Sequence, residues 1–392
     1  MLRGNSSGRD ALDKPGVIAV AVVFSFVSMA GFLVLPQLVE RVVTSLHFSA
    51  RQVGWLSAVS AAGSMVSALA ATLWVRRVSW RRAACLTLAG IALANVVAMS
   101  WHRAAVFFPA EFFAGICGGS LYSLALTILS DGTRPDRSFG YAVATQVAFQ
   151  VVGLAAGPWV LRTGGLNGLL AVFALLAVLT LALVRIIPRA GREVPITHTR
   201  LRRLNPSTLL ALAGCFLFFF NVGCYWTYVE LIGTAAGLTA QSVASALSIG
   251  VGIGILGALL ASWMGERGGR LQWIGWAALL SVCAALLLLG KVGWLAFALS
   301  AVLYNIAWNL SLSYQYATVN AVDGTGIGVA AAPAFHSAGA AAGPALTAVL
   351  IVPGHHAVVI WLVCASVLAS LGCFTAAGAL HGRQRLKMSA AG

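Results

Sequence analysis

The chain of 392 residues is 60% hydrophobic and only 9% charged. So little polar surface cannot solvate a globule of that length, which excludes a soluble protein and, with it, the nucleic-acid partner that a net charge of +15 would otherwise suggest. The apolar runs are continuous, whereas a membrane barrel alternates in and out over about ten residues, so the chain reads as an all-α integral membrane protein.

A hydrocarbon core of about 30 Å takes about 20 residues of helix. After a tail at residues 1–15, runs of that length are predicted at 16–39, 52–75, 83–101, 105–129, 138–161 and 165–187. Beyond a linker at 188–207 they resume at 208–232, 241–264, 272–290, 293–317, 326–352 and 356–380, leaving a tail at 381–392. The expected fold is therefore twelve transmembrane helices in two six-helix bundles, 16–187 and 208–380, related by pseudo-two-fold symmetry. The first run is longer than a signal-peptide core and lacks a small-residue cleavage site, so it is expected to remain. Of the 25 Lys and Arg residues, only Arg41, Arg51, Arg103, Arg162 and Lys291 fall on loops opposite the N terminus. That asymmetry places both termini in the cytoplasm, with the chain in a bacterial inner membrane.

Along the chain, Arg76, Arg77 and Arg81 follow the second span. The fourth span holds Glu111, a carboxyl that is costly inside a membrane and usually faces a wet cavity or a partner. Gly115, Gly118 and Tyr122 follow on the same helical face. Two readings stay open: a proton or cation site, or a structural acid bonded to a neighbouring helix near Pro109. Gln146 and Gln150, one turn apart on the fifth span, form either interhelical hydrogen bonds or contacts to a solute. They precede Gly153, Gly157 and Pro158, whose glycine spacing also serves plain helix packing.

The seventh span places Asn221, Tyr225 and Tyr228 on one face, with Trp226 beside it and Glu230 toward the external end. The tenth offers Tyr304, Asn305, Trp308 and Asn309. Aromatic walls with a few amides suit an amphipathic organic solute, since rings supply apolar contact and amides fix orientation. Tyr228 and Glu230 are expected in the interface belt instead. Glu266 and Arg267 follow the eighth span, and the eleventh carries His336, either a proton relay or a hydrogen-bond donor across a helix contact. No Lys or Arg lies at mid-depth, which disfavours a substrate that needs a charge clamp. All seven cysteines fall within predicted spans without metal-ligand spacing, so neither metal nor cofactor is expected. No phosphate-cradling Gly-Lys-Ser motif and no catalytic constellation is present, which points away from an enzyme.

The halves repeat. Gly153-Leu-Ala-Ala-Gly157-Pro158 returns as Gly339-Ala-Ala-Ala-Gly343-Pro344, and Asp131-Gly132-Thr133 returns as Asp323-Gly324-Thr325. Such duplication is common in transporters, and the chain resembles the major facilitator superfamily. In that family the loop after the second span usually reads Gly-x-x-x-Asp-Arg-x-Gly-Arg-Arg. Here Arg76 stands in place of the acid, while Glu266-Arg267 after the eighth span retains it. Glu111 occupies the arginine position of a fourth-span exporter motif, and Gly153, Gly157 and Pro158 look like a motif typical of antiporters. The resemblance implies a secondary active transporter that works as a monomer among membrane lipids and moves a small organic solute by alternating access, with proton-coupled efflux the leading expectation. Glu111 and His336 would couple protons. Asn221, Tyr225, Trp226, Tyr304, Asn305, Trp308, Asn309, Gln146 and Gln150 would line the solute path, and Arg76, Arg77, Arg81, Glu266, Arg267, Gly343 and Pro344 belong to gating motifs. Uptake of an organic acid or sugar-like solute is the alternative within transport. A non-transporting receptor or assembly subunit on the same fold is the alternative outside it.

Overall fold

The computed structural model describes residues 12–101, 103–132, 135–190, 205–265, 267–323, 327–352 and 356–389. Its first half runs through α1 (Pro15–Leu33), α2 (Leu35–Leu46), α3 (Ala50–Trp74), α4 (Trp80–Ser100), α5 (Ala104–Asp131) and α6 (Pro135–Leu181), ending in a 3-10 turn at Ala182–Ile186. The second comprises α7 (Pro206–Ala235), α8 (Ala240–Met264), α9 (Arg270–Leu286), α10 (Trp294–Asp323), α11 (Ile327–Leu350) and α12 (Ala357–Ser389). Among the described residues nine helices are long and apolar enough to cross a membrane, so the fold is all-helical and multi-pass.

Two local features depart from simple spans. The first predicted span breaks at Val34, with φ −112° and ψ 23°. Pro36 sits in the first turn of α2, where a missing N–H costs nothing, but its ring obstructs a helix continuous with α1. The fifth and sixth predicted spans form one 47-residue helical run, interrupted only at Gly165, with φ 61° and ψ −155°. That backbone region is open essentially to glycine alone, so one residue makes the kink where the fifth and sixth predicted spans meet.

By packing, the chain divides into two units: Met1–Phe48 with Val59–Thr197, and Ser49–Ala58 with His198–Gly392. Most of the expected linker, residues 191–204, lies outside the described residues. The first unit buries Phe24, Trp80, Leu88, Leu121 and Leu124 in its core, and the second buries Leu212, Cys215, Ala307 and Phe374. The start of α3 belongs to the second unit because Gly54 lets it approach α7 and α11. A Cβ at Gly54 would stand 2.1 Å from the Tyr228 hydroxyl and 2.6 Å from the Pro344 carbonyl. Tyr228 donates to the Ala50 carbonyl at 3.1 Å, and Arg51 Nε donates to that of Ala348 at 3.1 Å. Elsewhere the helices turn large apolar side chains outward, Leu86 being 74% and Trp263 72% exposed. Such residues would be a liability in water and suit hydrocarbon.

Candidate functional site

In the first unit the chemistry gathers on α5 and α6. Glu111 lies two turns into α5, half-buried, and makes no hydrogen bond or ion pair to any described residue. Along its face, α5 packs tightly through glycine. A Cβ at Gly115 would meet the Ser60 carbonyl at 2.2 Å, and one at Gly118 the Ser28 carbonyl at 2.6 Å. Tyr122, the next residue of that face, is hydrogen-bonded to Gln146 of α6. One turn on, Gln150 is buried, and its Nε2 has no partner among the described residues. Glu111 and Tyr122 thus share one face of α5, which packs on α3 and α1 through the glycines and reaches Gln146 of α6 at Tyr122.

The glycine motif of α6 has a specific neighbour. A Cβ at Gly157 would lie 1.7 Å from Gln37 Oε1, and one at Gly153 would lie 2.6 Å from Val34 Cγ1. Gln37 is 1% exposed and donates Nε2 to the Leu154 carbonyl, so its amide lies flat across the helix face that the glycines clear. Its Oε1 has no partner among the described residues. The residue passes unnoticed in the sequence because it follows Pro36 at the presumed end of a span.

In the second unit the residues predicted on α7 and α10 divide into two sets. Asn221, Tyr225 and Tyr304 bond inward: Tyr304 donates to Asn221 Oδ1 at 2.7 Å, the Tyr225 hydroxyl meets Ser300 Oγ at 2.9 Å, and the two tyrosine rings stack at 3.6 Å. All three are 2% exposed or less. The other set forms an aromatic array. Trp226 meets Trp308 edge-on at 6.2 Å, Trp308 meets Phe219 at 6.2 Å, and Phe219 stacks on His336 at 4.1 Å. Tyr316 closes the array edge-on to the imidazole, with its hydroxyl 3.4 Å from Nδ1. His336 Nε2 is buried and has no partner among the described residues. Phe219 and Tyr316 carry no signal in the sequence beyond their apolar surroundings. Asn305 and Asn309 donate back to the carbonyls of Ala301 and Asn305, which leaves their side-chain oxygens as acceptors.

The expectation for Tyr228 and Glu230 does not hold. Both are buried, at 0% and 1% exposure, rather than placed in an interface belt; over Tyr228 the cover is α3, which comes close through Gly54. Gly339 and Gly343 clear the face of α11 for the α7 backbone: Cβ atoms there would stand 2.1 Å and 2.2 Å from the carbonyls of Phe216 and Phe220.

The family model of the Major Facilitator Superfamily matches residues 20–344. The chain belongs to the major facilitator superfamily. Solved structures with the same fold include the nucleoside transporter NupG, with a TM-score of 0.72 at 12% identity, covering 92% of this chain and 98% of that one. A bacterial homologue of the human lysosomal transporter Spinster, inward-facing and unoccupied, reaches 0.67 at 14% identity, covering 96% and 98%. At such identities the likeness speaks for the fold alone. No curated protein sequence matches the chain.

The loop motifs of this major facilitator deviate in a way that the structure makes intelligible. Arg76, which stands where the family usually has an acid, reaches Asp131 at the end of α5 through both terminal nitrogens, at 3.1 Å and 2.8 Å. The ion pair has its arginine just after α3 and its acid at the end of α5. Arg81 Nε donates to the Ile187 carbonyl at 2.7 Å, and Arg77 is exposed. In the second half Arg267 is exposed and its carbonyl accepts from Trp273 Nε1. Glu266 lies outside the described residues.

Proposed function

We propose that this major facilitator is a secondary active transporter of the bacterial inner membrane that exports a small organic solute in exchange for protons. In this reading twelve spans form two six-helix bundles with both termini in the cytoplasm, and a single chain alternates access to a solute site. The observation that carries it is Glu111. It is a half-buried carboxyl on a span, without a described partner, on a face that continues through Tyr122 to Gln146. A charge held unpaired in a span is costly, and uptake of a proton removes that cost. A site of that kind can couple proton entry to a conformational step.

The solute would rest against the half-buried rings of Phe219, Trp308 and Tyr316, with Asn309 Oδ1 and His336 Nε2 as the polar handles. Ring faces offer apolar area while isolated polar atoms fix orientation, which favours a flat, neutral or cationic organic molecule over a phosphate ester. Asn221 with Tyr304, and Tyr225 with Ser300, are hydrogen-bonded pairs that serve as the support behind that wall.

Internal pH of proteoliposomes, followed while aromatic, cationic and weakly acidic solutes are added outside, tests the reading. A solute that moves protons through the wild type and not through Glu111→Gln supports coupling at Glu111, and the sign of the pH change separates exchange from symport. Equal solute flux in both proteins with no pH change refutes the proton coupling.

A further inference from the structure

Where α3 gives way to α4, the first unit holds an open cavity of about 590 Å³ whose wall contains five arginines: Arg76, Arg77, Arg81, Arg82 and Arg189. The cavity is built, and not just a crowd of loop charges. The indole of Trp80, 1% exposed, donates to the Val75 carbonyl at 2.8 Å, and its backbone N–H donates to the Arg189 carbonyl at 2.8 Å. With Arg81 bonded to the Ile187 carbonyl, residues 187–190 are thereby fixed against the start of α4.

Two of the arginines are already engaged, Arg76 by Asp131 and Arg81 by Ile187. Among the described residues, Arg77, Arg82 and Arg189 have no side-chain partner and no acid lines the cavity. The N terminus of α4 opens beside them; Ser79 at its cap makes no side-chain bond to it, so the N–H groups that follow Trp80 add to the positive potential. Three unpaired guanidinium groups converging with a helix start form a setting for a phosphoryl anion.

The surroundings identify which anion. Leu86, one turn beyond Arg82 on α4, is 74% exposed, and Leu93 two turns further is 58% exposed. Val78 in the cavity wall is 41% exposed, and Ile186 just before the 187–190 segment is 47% exposed. A free phosphate has no use for such a stripe, whereas a lipid would lay an acyl chain along it with its head among the arginines. We propose that this cavity is a binding site for the phosphodiester headgroup of an anionic lipid, with the chain running along Leu86 and Leu93. A zwitterionic lipid brings its own ammonium and gains less from the arginines. The site is independent of the solute path and of the direction of transport.

Native mass spectrometry of the full chain released from detergent tests this, with phosphatidylglycerol and phosphatidylcholine of equal chain length as probes and glycerol phosphate as the chain-free anion. The wild type should retain phosphatidylglycerol over phosphatidylcholine by about tenfold or more, since each basic residue near a membrane surface contributes about 1 kcal/mol. The triple replacement R77Q/R82Q/R189Q should remove that preference, and R77K/R82K/R189K should restore most of it. Equal retention of both lipids by the wild type, or a preference that survives the glutamine variant, overturns the site. Glycerol phosphate bound as tightly as the lipid overturns the lipid assignment in favour of a soluble anion. If the glutamine variant does not fold, loss of the preference on raising salt with the wild type supports the site, and a preference indifferent to salt refutes it.

Discussion

Two polar clusters, one in each unit, are satisfied to different degrees. In the second, Tyr225 pairs with Ser300 and Tyr304 with Asn221 inside the helix packing, and the two tyrosine rings stack. In the first, Glu111 stands half-buried without a described partner and Gln150 keeps an unpaired Nε2. A satisfied network fixes a core, whereas an unsatisfied group is retained only where something else, a proton or a solute, completes it. The contrast separates an incompletely bonded chemical element on α5 and α6 from a hydrogen-bonded set on α7 and α10.

The sharpest way to break that contrast is Glu111→Gln. Solute-driven proton movement should fall to the background of empty vesicles, while the melting temperature of the purified protein stays level or rises, because a neutral amide is cheaper to bury than an unpaired charge. A large drop in melting temperature would instead make Glu111 a structural acid and erase the distinction between the two clusters.

Next in size are the glycine motifs, which look alike in sequence and should respond differently. Gly339→Ala drives a methyl group against the backbone of Phe216, which cannot move aside, and should cost about 3 kcal/mol of stability. Gly157→Ala meets the far end of Gln37, which can swing away at the loss of one hydrogen bond, and should cost about 1 kcal/mol. Thermal melts of the two variants decide; equal losses would mean that Gln37 is held as firmly as backbone. Tyr304→Phe, which deprives Asn221 Oδ1 of its donor, should cost about 1 kcal/mol by the same assay.

Much of this was legible in the chain because a membrane simplifies the physics. Every predicted span overlaps a helix, since length and apolarity alone decide what can sit in hydrocarbon, and Glu111 stood out because a lone carboxyl there is rare. The break at Val34 and the kink at Gly165 are matters of single φ and ψ values that apolarity does not encode. Gln37, Phe219 and Tyr316 became visible only through their neighbours: an amide is informative when it lies across a glycine, and a phenyl ring when it stacks on an imidazole. For the same reason the sequence grouped Asn221 and Tyr225 with the solute path, although spacing along a helix does not tell whether a face meets a cavity or another helix.

The smallest expected effect concerns the loop after α3, where the family's acid is replaced by Arg76. The Asp131 side chain is 5% exposed and that of Arg76 is 37% exposed, so the pair is neither a free surface bridge nor a fully desolvated one. Exposed pairs contribute from zero to about 1 kcal/mol, and breaking a buried one costs several, which places Arg76→Gln at about 1 kcal/mol. Arg77→Gln removes an adjacent charge of the same sign with no side-chain bond and should fall within about 0.5 kcal/mol of the wild type. The comparison isolates geometry from charge, because both variants lower the net charge of the loop equally. If both melt alike, the positive character of the loop is what matters, and the contact between Arg76 and Asp131 does not hold the ends of α3 and α5 together. If only Arg76→Gln is destabilised, the contact between Arg76 and Asp131 holds this joint, and the loop's positive charge by itself does not.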